Sequence, residues 1–97
     1  MYSRTGTSTI KPGKMDEALT VYRDTILPVL KQQKGFKGLY WLTDRKTDKY
    51  TVFTLWETEA DMLATETSGL LREVLSKLDA YVAAPVTIER YEVSLTA

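Results

Sequence analysis

The chain carries GFKGLYWL at residues 35–42 and YTVFTLWET at residues 50–58. Apolar and polar side chains alternate in both stretches, a pattern that is typical of β-strands. The polar residues DRKTD at 44–48 separate the two stretches and have the length of a hairpin connection. We therefore expect two neighbouring antiparallel strands, from Phe36 to Thr43 and from Lys49 to Trp56.

A helix is predicted on each side of this hairpin. Apolar residues recur at intervals of three and four between positions 14 and 33, a pattern that predicts a helix, and Pro28 should kink or divide it. A second apolar stripe follows the hairpin. Thr58 is its predicted cap, with Asp61 returning the bond, and the small and polar residues 65–69 predict a break within it.

Two outer strands, at residues 2–10 and 86–95, complete the order β-α-β-β-α-β. This order predicts an α+β, ferredoxin-like fold in which the helices cover one face of a four-stranded antiparallel sheet. Residues 1–97 have the length of a single domain.

The two middle strands carry aromatic residues at both even and odd positions, and therefore on both faces of the predicted sheet. Strand alternation places Tyr40 and Trp56 toward the helices, and Trp41 and Phe53 on the opposite face. Soluble proteins rarely leave such an apolar face open. We therefore expect a second copy of the chain to cover it in a two-fold homodimer, with Trp41 and Phe53 in the interface.

The composition excludes several classes of function. Thirteen basic residues balance thirteen acidic residues, which leaves no excess charge for nucleic acid binding. The chain has no cysteine and no histidine, which excludes disulfides, cysteine nucleophiles and serine-histidine triads and removes the commonest metal ligand. The acidic residues between 57 and 66 suit a helix start without any ion, so we predict no metal site. No run reaches the roughly 20 apolar residues of a membrane span, and we expect a cytoplasmic protein with no membrane partner.

Three short motifs carry a resemblance to a known family: IKPGK at residues 10–14, GFKG at 35–38 and LWETEA at 55–60. With the order of elements, they make the whole chain similar to the antibiotic biosynthesis monooxygenase domain family. The resemblance implies a dimeric α+β barrel. The family includes cofactor-free monooxygenases that act on quinols or polyphenols, haem-degrading enzymes, and members with no established reaction.

The haem-degrading branch of that family uses an asparagine on the first strand, a tryptophan that ends the third strand and a histidine on the second helix. Only the tryptophan is matched here, by Trp56. Gly6 and Glu66 stand near the other two positions. The resemblance therefore favours the branch that uses no cofactor, and we predict none.

The cofactor-free branch implies a pocket between sheet and helices where an aromatic small molecule meets molecular oxygen. The predicted catalytic residues are Trp56 as an apolar wall, Arg4 to stabilise a phenolate or superoxide, and Tyr40 as a hydrogen-bond donor. Further residues are predicted to bind the ligand or line the pocket: Gly6, Ser8, Tyr22, Thr54, Thr67 and Arg90.

Each of these residues also has a structural interpretation. Trp56 and Tyr22 are residue types that fill ordinary cores, and the arginines at positions 4 and 90 suit solvated ion pairs with Glu89 or Glu92. Two other functions therefore stay open. One is a non-catalytic small-molecule-binding or stress-related module, and the other is an assembly domain whose cavity is filled by side chains. The volume between helices and sheet discriminates between them.

Overall fold

The computed structural model describes residues 1–97 and has the predicted α+β, ferredoxin-like architecture. Its elements are β1 (Tyr2–Thr9), α1 (Met15–Val21), a π-helical segment (Tyr22–Ile26), α2 (Leu27–Lys31), β2 (Phe36–Asp44), β3 (Lys49–Trp56), α3 (Glu59–Thr67), α4 (Leu70–Leu78) and β4 (Thr87–Glu92). The sheet order is β2-β3-β1-β4, and all neighbours are antiparallel. The helices lie on one face of this sheet. None of them combines the length and apolarity that crossing a membrane requires.

The first helical region is divided near Pro28, as the sequence predicts. The π-helical segment immediately precedes this proline, and the Leu27 N–H donates to the carbonyl of Tyr22, five residues back. A proline has no N–H, and its ring clashes with the carbonyl four residues before it in an α-helix. The wider turn at 22–26 absorbs this conflict while Tyr22 and Ile26 stay buried.

The second helical region also breaks where the sequence predicts. Thr58 caps α3, because its hydroxyl accepts the Asp61 N–H at 3.1 Å. Gly69 adopts a left-handed φ of +88° between α3 and α4, a conformation that glycine adopts without steric cost. The predicted return bond from Asp61 is not formed. Its carboxylate packs against Gly35, where any side chain would overlap it.

Strand β2 contains a β-bulge that the sequence analysis did not predict. Phe36 pairs with Trp56, but Gly38 pairs with the next residue of β3, Leu55, so Lys37 is an extra residue. One extra residue exchanges the two faces of the strand from that point onward. The pairing after the bulge is therefore opposite to the simple alternation that we expected.

The bulge corrects two predictions. Tyr40 does not face the helices: it is 58% exposed on the opposite face and stacks on Phe53, with ring centroids 5.2 Å apart. Trp41, expected in a dimer interface, instead packs beneath the helices. Its ring lies 4.4 Å from that of Tyr50 and 5.3 Å from that of Tyr22.

The core lies between the helices and the sheet. Its larger part is centred on Trp56, which is fully buried, and its smaller part lies around Tyr50 and the start of α1. The opposite face of the sheet carries no element of this chain. We call it the open face; its large apolar side chains include Tyr40, Leu42, Phe53, Leu55 and Tyr91.

Candidate functional site

A cleft lies between α4 and the sheet, and we take it as the candidate site. Eleven of its fifteen lining residues are hydrophobic, which suits a ligand with an apolar body. One wall is formed by the apolar face of α4, namely Leu70, Leu71, Val74, Leu75 and Leu78. Val86 and Ile88, at the C-terminal strand, and Gly6 of β1 lie opposite.

The cleft is narrow in this conformation. Its volume is about 40 Å³, room for a few water molecules, whereas a cavity of about 150 Å³ is known to hold a benzene ring. Most of the apolar residues of α4 are only partly buried, and the helix begins at the left-handed Gly69. An aromatic ligand therefore requires α4 to move away from the sheet.

Arg4 is the charged residue of the cleft. It stands on β1, is 6% exposed, and lies with its guanidinium carbon 5.7 Å from the ring centre of Trp56. Its Nη1 donates to the carbonyl of Met62 at 3.1 Å, to Oγ1 of Thr65 at 2.8 Å and to Oε2 of Glu66 at 3.2 Å. Burial lowers the pKa of Arg4 and the bond to Glu66 opposes this. A guanidinium stays protonated in proteins, so the cleft contains a fixed positive charge.

Glu66 joins Arg4 to Arg90. These arginines face each other on β1 and β4, and like charges in such a pair repel. Arg90 donates two hydrogen bonds to the carboxylate of Glu66, from Nε to Oε2 at 2.9 Å and from Nη2 to Oε1 at 2.6 Å. Hydrogen bonds from Arg90 and then Arg4 hold the pKa of Glu66 below its usual value, although partial burial opposes them. The network attaches α3 to both strands and keeps a net charge of +1.

Trp56, which was predicted to form an apolar wall of the pocket, does not line the cleft and instead packs behind two residues that do. Its indole Nε1 donates to Oγ1 of Thr54 at 2.8 Å, and its ring meets Phe36 edge-on at 5.5 Å. Thr54 does line the cleft, and its hydroxyl lies 3.4 Å from the carbonyl of Arg4. Trp56 therefore fixes the position of two cleft residues.

Tyr22 reaches the cleft from the π-helical segment. Burial raises its pKa well above the ordinary tyrosine value, although the positive charge of Arg4 opposes this. The phenol is therefore neutral at physiological pH and available as a hydrogen-bond donor. Its predicted place among the lining residues agrees with the structure.

Four further predicted site residues lie outside the cleft. Tyr40 is on the open face because of the bulge. Thr67 is exposed, and its hydroxyl donates to the Ala64 carbonyl of its own helix at 3.2 Å. Ser8 is buried but donates to the carbonyl of Ala84 at 2.7 Å, away from the cleft. Arg90 reaches the site only through Glu66.

Three residues of the site were missed. Thr65 faces Arg4 where Thr67 was expected, an error of two residues in helical phase. Glu66 was considered as one of the acidic residues between 57 and 66 and as the residue near the histidine position of the haem-degrading pattern. Its role as a counter-ion was missed, although two arginines on adjacent strands require one. Tyr50 lines the cleft and has the same parity as Thr54 and Trp56, which was sufficient to find it.

Comparison with known proteins places this fold in a family. The family model described as antibiotic biosynthesis monooxygenase matches residues 1–77. The chain belongs to this family. The match contains Arg4, Trp56 and Glu66 and ends before β4. No curated protein sequence matches the chain significantly.

Solved structures agree with the family fold at low sequence identity. The cofactor-independent oxygenase SnoaB from Streptomyces nogalater is 16% identical with a TM-score of 0.79, covering 98% of this chain and 94% of that one. NE2512 of Nitrosomonas europaea, described as a protein of unknown function, is 21% identical with a TM-score of 0.74, covering 99% and 91%. Rv0793 from Mycobacterium tuberculosis is 10% identical with a TM-score of 0.76, covering 99% and 97%. At these identities the likeness shows the fold alone.

Proposed function

We propose that this protein is a cofactor-independent monooxygenase that acts on a quinol or polyphenol-type aromatic molecule in the cleft beneath α4. The observation that carries the proposal is a buried guanidinium, that of Arg4, at an otherwise apolar cleft. Family membership supports it, as does the fold shared with SnoaB, whose description is a cofactor-independent oxygenase.

The oxidation of a quinol by oxygen requires few catalytic groups from the protein. A deprotonated quinol is electron-rich enough to pass an electron to oxygen, so the site must bind the anion, stabilise it and exclude water. Arg4 supplies positive charge, Tyr22 supplies a neutral donor, and the leucines of α4 exclude water. Direct action on the substrate is proposed for Arg4, while Trp56 acts by positioning Arg4 and Thr54.

The cleft contains no protein side chain that could act as a base to deprotonate the substrate. None of the lining residues is aspartate, glutamate, lysine or histidine, and burial keeps the phenols of Tyr22 and Tyr50 protonated. The substrate therefore loses its proton to solvent, helped by the positive charge of Arg4. We expect the rate to rise with pH as the substrate ionises. The pH at which the rate is half-maximal should therefore differ from one phenol to another.

A non-catalytic binding module is the second candidate. The observation in its favour is the same lack of a proton acceptor among the cleft residues. Such a protein binds a phenol and consumes no oxygen. Its ligand protects it from unfolding without being changed.

Oxygen consumption with a panel of hydroquinones and polyphenols, in the presence of a chelator, tests the proposal. We expect uptake that requires native protein, and a fall of about a hundredfold in kcat/KM for Arg4→Met, the effect of removing one oxyanion-stabilising group. Arg45→Met is the matched control, because Arg45 is an exposed hairpin residue that pairs with Asp16. Circular dichroism establishes that both variants are folded. Binding without uptake favours the second candidate, and equal rates in the two variants contradict a role for Arg4.

We further propose that the protein acts as a homodimer in which a second copy covers the open face. The support is the group of exposed apolar side chains there, among them Tyr40 and Leu42. The single-domain organisation of residues 1–97 and the cytoplasmic location stay predictions.

A further inference from the structure

The guanidinium of Arg4 has donors that the protein does not use. All three of its hydrogen bonds leave from Nη1, whereas a guanidinium carries five N–H groups on three nitrogens. Nε and Nη2 therefore have no acceptor within the chain, although the residue is 94% buried and lines the cleft. Neither nitrogen is fully enclosed, so a ligand in the cleft can replace water as the acceptor of these donors.

Tyr50 presents a second unused donor. The residue is 1% exposed, lines the cleft, and its hydroxyl is enclosed without any hydrogen-bond partner. Phenylalanine would fill the same space and stack on Trp41 equally well. An unpaired buried hydroxyl lowers stability, so its presence here requires a reason other than packing.

Tyr22 brings a third donor to the same place. Its hydroxyl has no hydrogen bond within the chain, and its ring, like that of Tyr50, packs on Trp41. Arg4, Tyr22 and Tyr50 all line the same cleft, so the three donors border one space for a ligand. Burial raises the pKa of Tyr50 to about 12. Both phenols are therefore neutral.

The surroundings select the ligand. Two arginines share one carboxylate, which leaves one positive charge, and this balances a monoanion better than a phosphate dianion. Beyond the three donors the cleft is lined mainly by leucines and valines, most of them on α4. The complementary molecule has one ionised oxygen on a flat apolar body.

We propose that Tyr50, together with Tyr22 and Arg4, forms a subsite for the ionised oxygen of a phenol, with Tyr50 as the residue that makes the cleft prefer a phenolate to an uncharged ring. This inference rests on the proposed function for the identity of the ligand. It adds a specificity-determining residue and does not require that the bound phenol be oxidised.

Equilibrium binding of two small ring compounds tests the subsite. 4-Nitrophenolate, at mildly alkaline pH, is titrated by its own absorbance, and 4-nitrotoluene, which has the same ring without the oxygen, is measured as its competitor. We expect Tyr50→Phe to weaken nitrophenolate binding by about tenfold or more, the range for a hydrogen bond to a charged group, and to leave nitrotoluene binding unchanged. Tyr91→Phe is the matched control, because Tyr91 lies on the open face.

Thermal unfolding supplies the second readout. Loss of an unpaired hydroxyl should leave the Tm of Tyr50→Phe unchanged or higher, so weaker binding is not explained by misfolding. If this variant does unfold, Tyr22→Phe must show the same selective loss. The inference is overturned if nitrophenolate does not bind the wild type. It is also overturned if Tyr50→Phe weakens the binding of both ligands equally, or changes the binding of neither. The last result would mean that ordered water alone satisfies the donors.

The outcomes separate this inference from the proposed function. Selective loss of nitrophenolate binding in a protein that consumes no oxygen with any quinol supports the subsite and contradicts the monooxygenase. If Tyr50→Phe consumes oxygen as the wild type does and still prefers the phenolate, the result supports the enzyme and overturns the subsite.

Discussion

The two faces of the sheet differ in what covers them. On the helix-covered face Trp56 is fully buried, and the hydroxyls of the buried Thr54 and Thr65 donate to backbone carbonyls. On the open face Tyr40 and Leu42 are more than half exposed, and no element of the chain packs over them. Strand alternation supplies apolar residues to both faces, but only one of them receives its cover from the same chain. The candidate site lies on that covered face.

The strongest way to break this comparison is to remove a large ring from each face. Trp56→Ala should lower the free energy of unfolding by about 3–5 kcal/mol, because it leaves a cavity in the core. Tyr40→Ala should cost about 1 kcal/mol at low protein concentration, because its ring is mostly solvated. Urea denaturation followed by circular dichroism measures both. Equal losses would mean that the two faces are equally packed.

A charge on the open face sharpens the comparison, because it tests whether a second copy covers that face. Leu42→Asp should raise the dissociation constant of the dimer by about thirtyfold, or about 2 kcal/mol. Light scattering after size-exclusion chromatography, over a range of concentrations, gives the mass. The matched control is Leu63→Asp, which alters an exposed leucine on α3. A wild-type protein that stays monomeric at every concentration contradicts the dimer.

The smallest expected effect concerns the charges that hold the covered face together. Because the pKa of Glu66 is lower in the folded protein than its ordinary value of 4.5, its ionised form stabilises the fold at neutral pH. That contribution is present above pH 4.5 and is lost as the pH falls through the lowered pKa. Glu66→Gln should therefore cost about 1 kcal/mol at neutral pH.

Unfolding measured from neutral to acidic pH tests this sign. The difference between wild type and Glu66→Gln should shrink as the solution becomes more acidic. Glu73→Gln removes an exposed carboxylate without an ion pair and is the control. A difference that grows on acidification would show that the network does not stabilise the folded state.

The sequence predicted the features that depend on nearby residues. The cap at Thr58, the break at Gly69 and the division near Pro28 each follow from a few adjacent side chains. Placing Arg4 and Thr54 in the site required only the regular alternation of β1 and β3, which contain no bulge where they pair. These elements could be deduced because their geometry is local.

The missed features depend on residues far apart in the chain. The bulge beside Gly38 is defined by how β2 pairs with β3, so alternation in β2 alone assigned Tyr40 and Trp41 to the wrong faces. Glu66 meets Arg4 across 62 residues, and no local pattern connects them. The unpaired state of the Tyr50 hydroxyl appears only once the whole interior is assembled.

The extra residue at Lys37 also indicates where relatives of this chain can vary in length. Loss of one residue from the hairpin tip at 45–48 shortens an exposed turn and leaves both strands with the same residues on each face. Loss of Lys37 would remove the bulge, because Phe36 and Gly38 would then pair as neighbours with Trp56 and Leu55, and Tyr40 and Trp41 would keep their present faces. Loss of one residue after Gly38, with the bulge retained, would instead exchange the faces of the rest of β2, so the position of a gap in a homologue predicts which face its aromatic residues occupy.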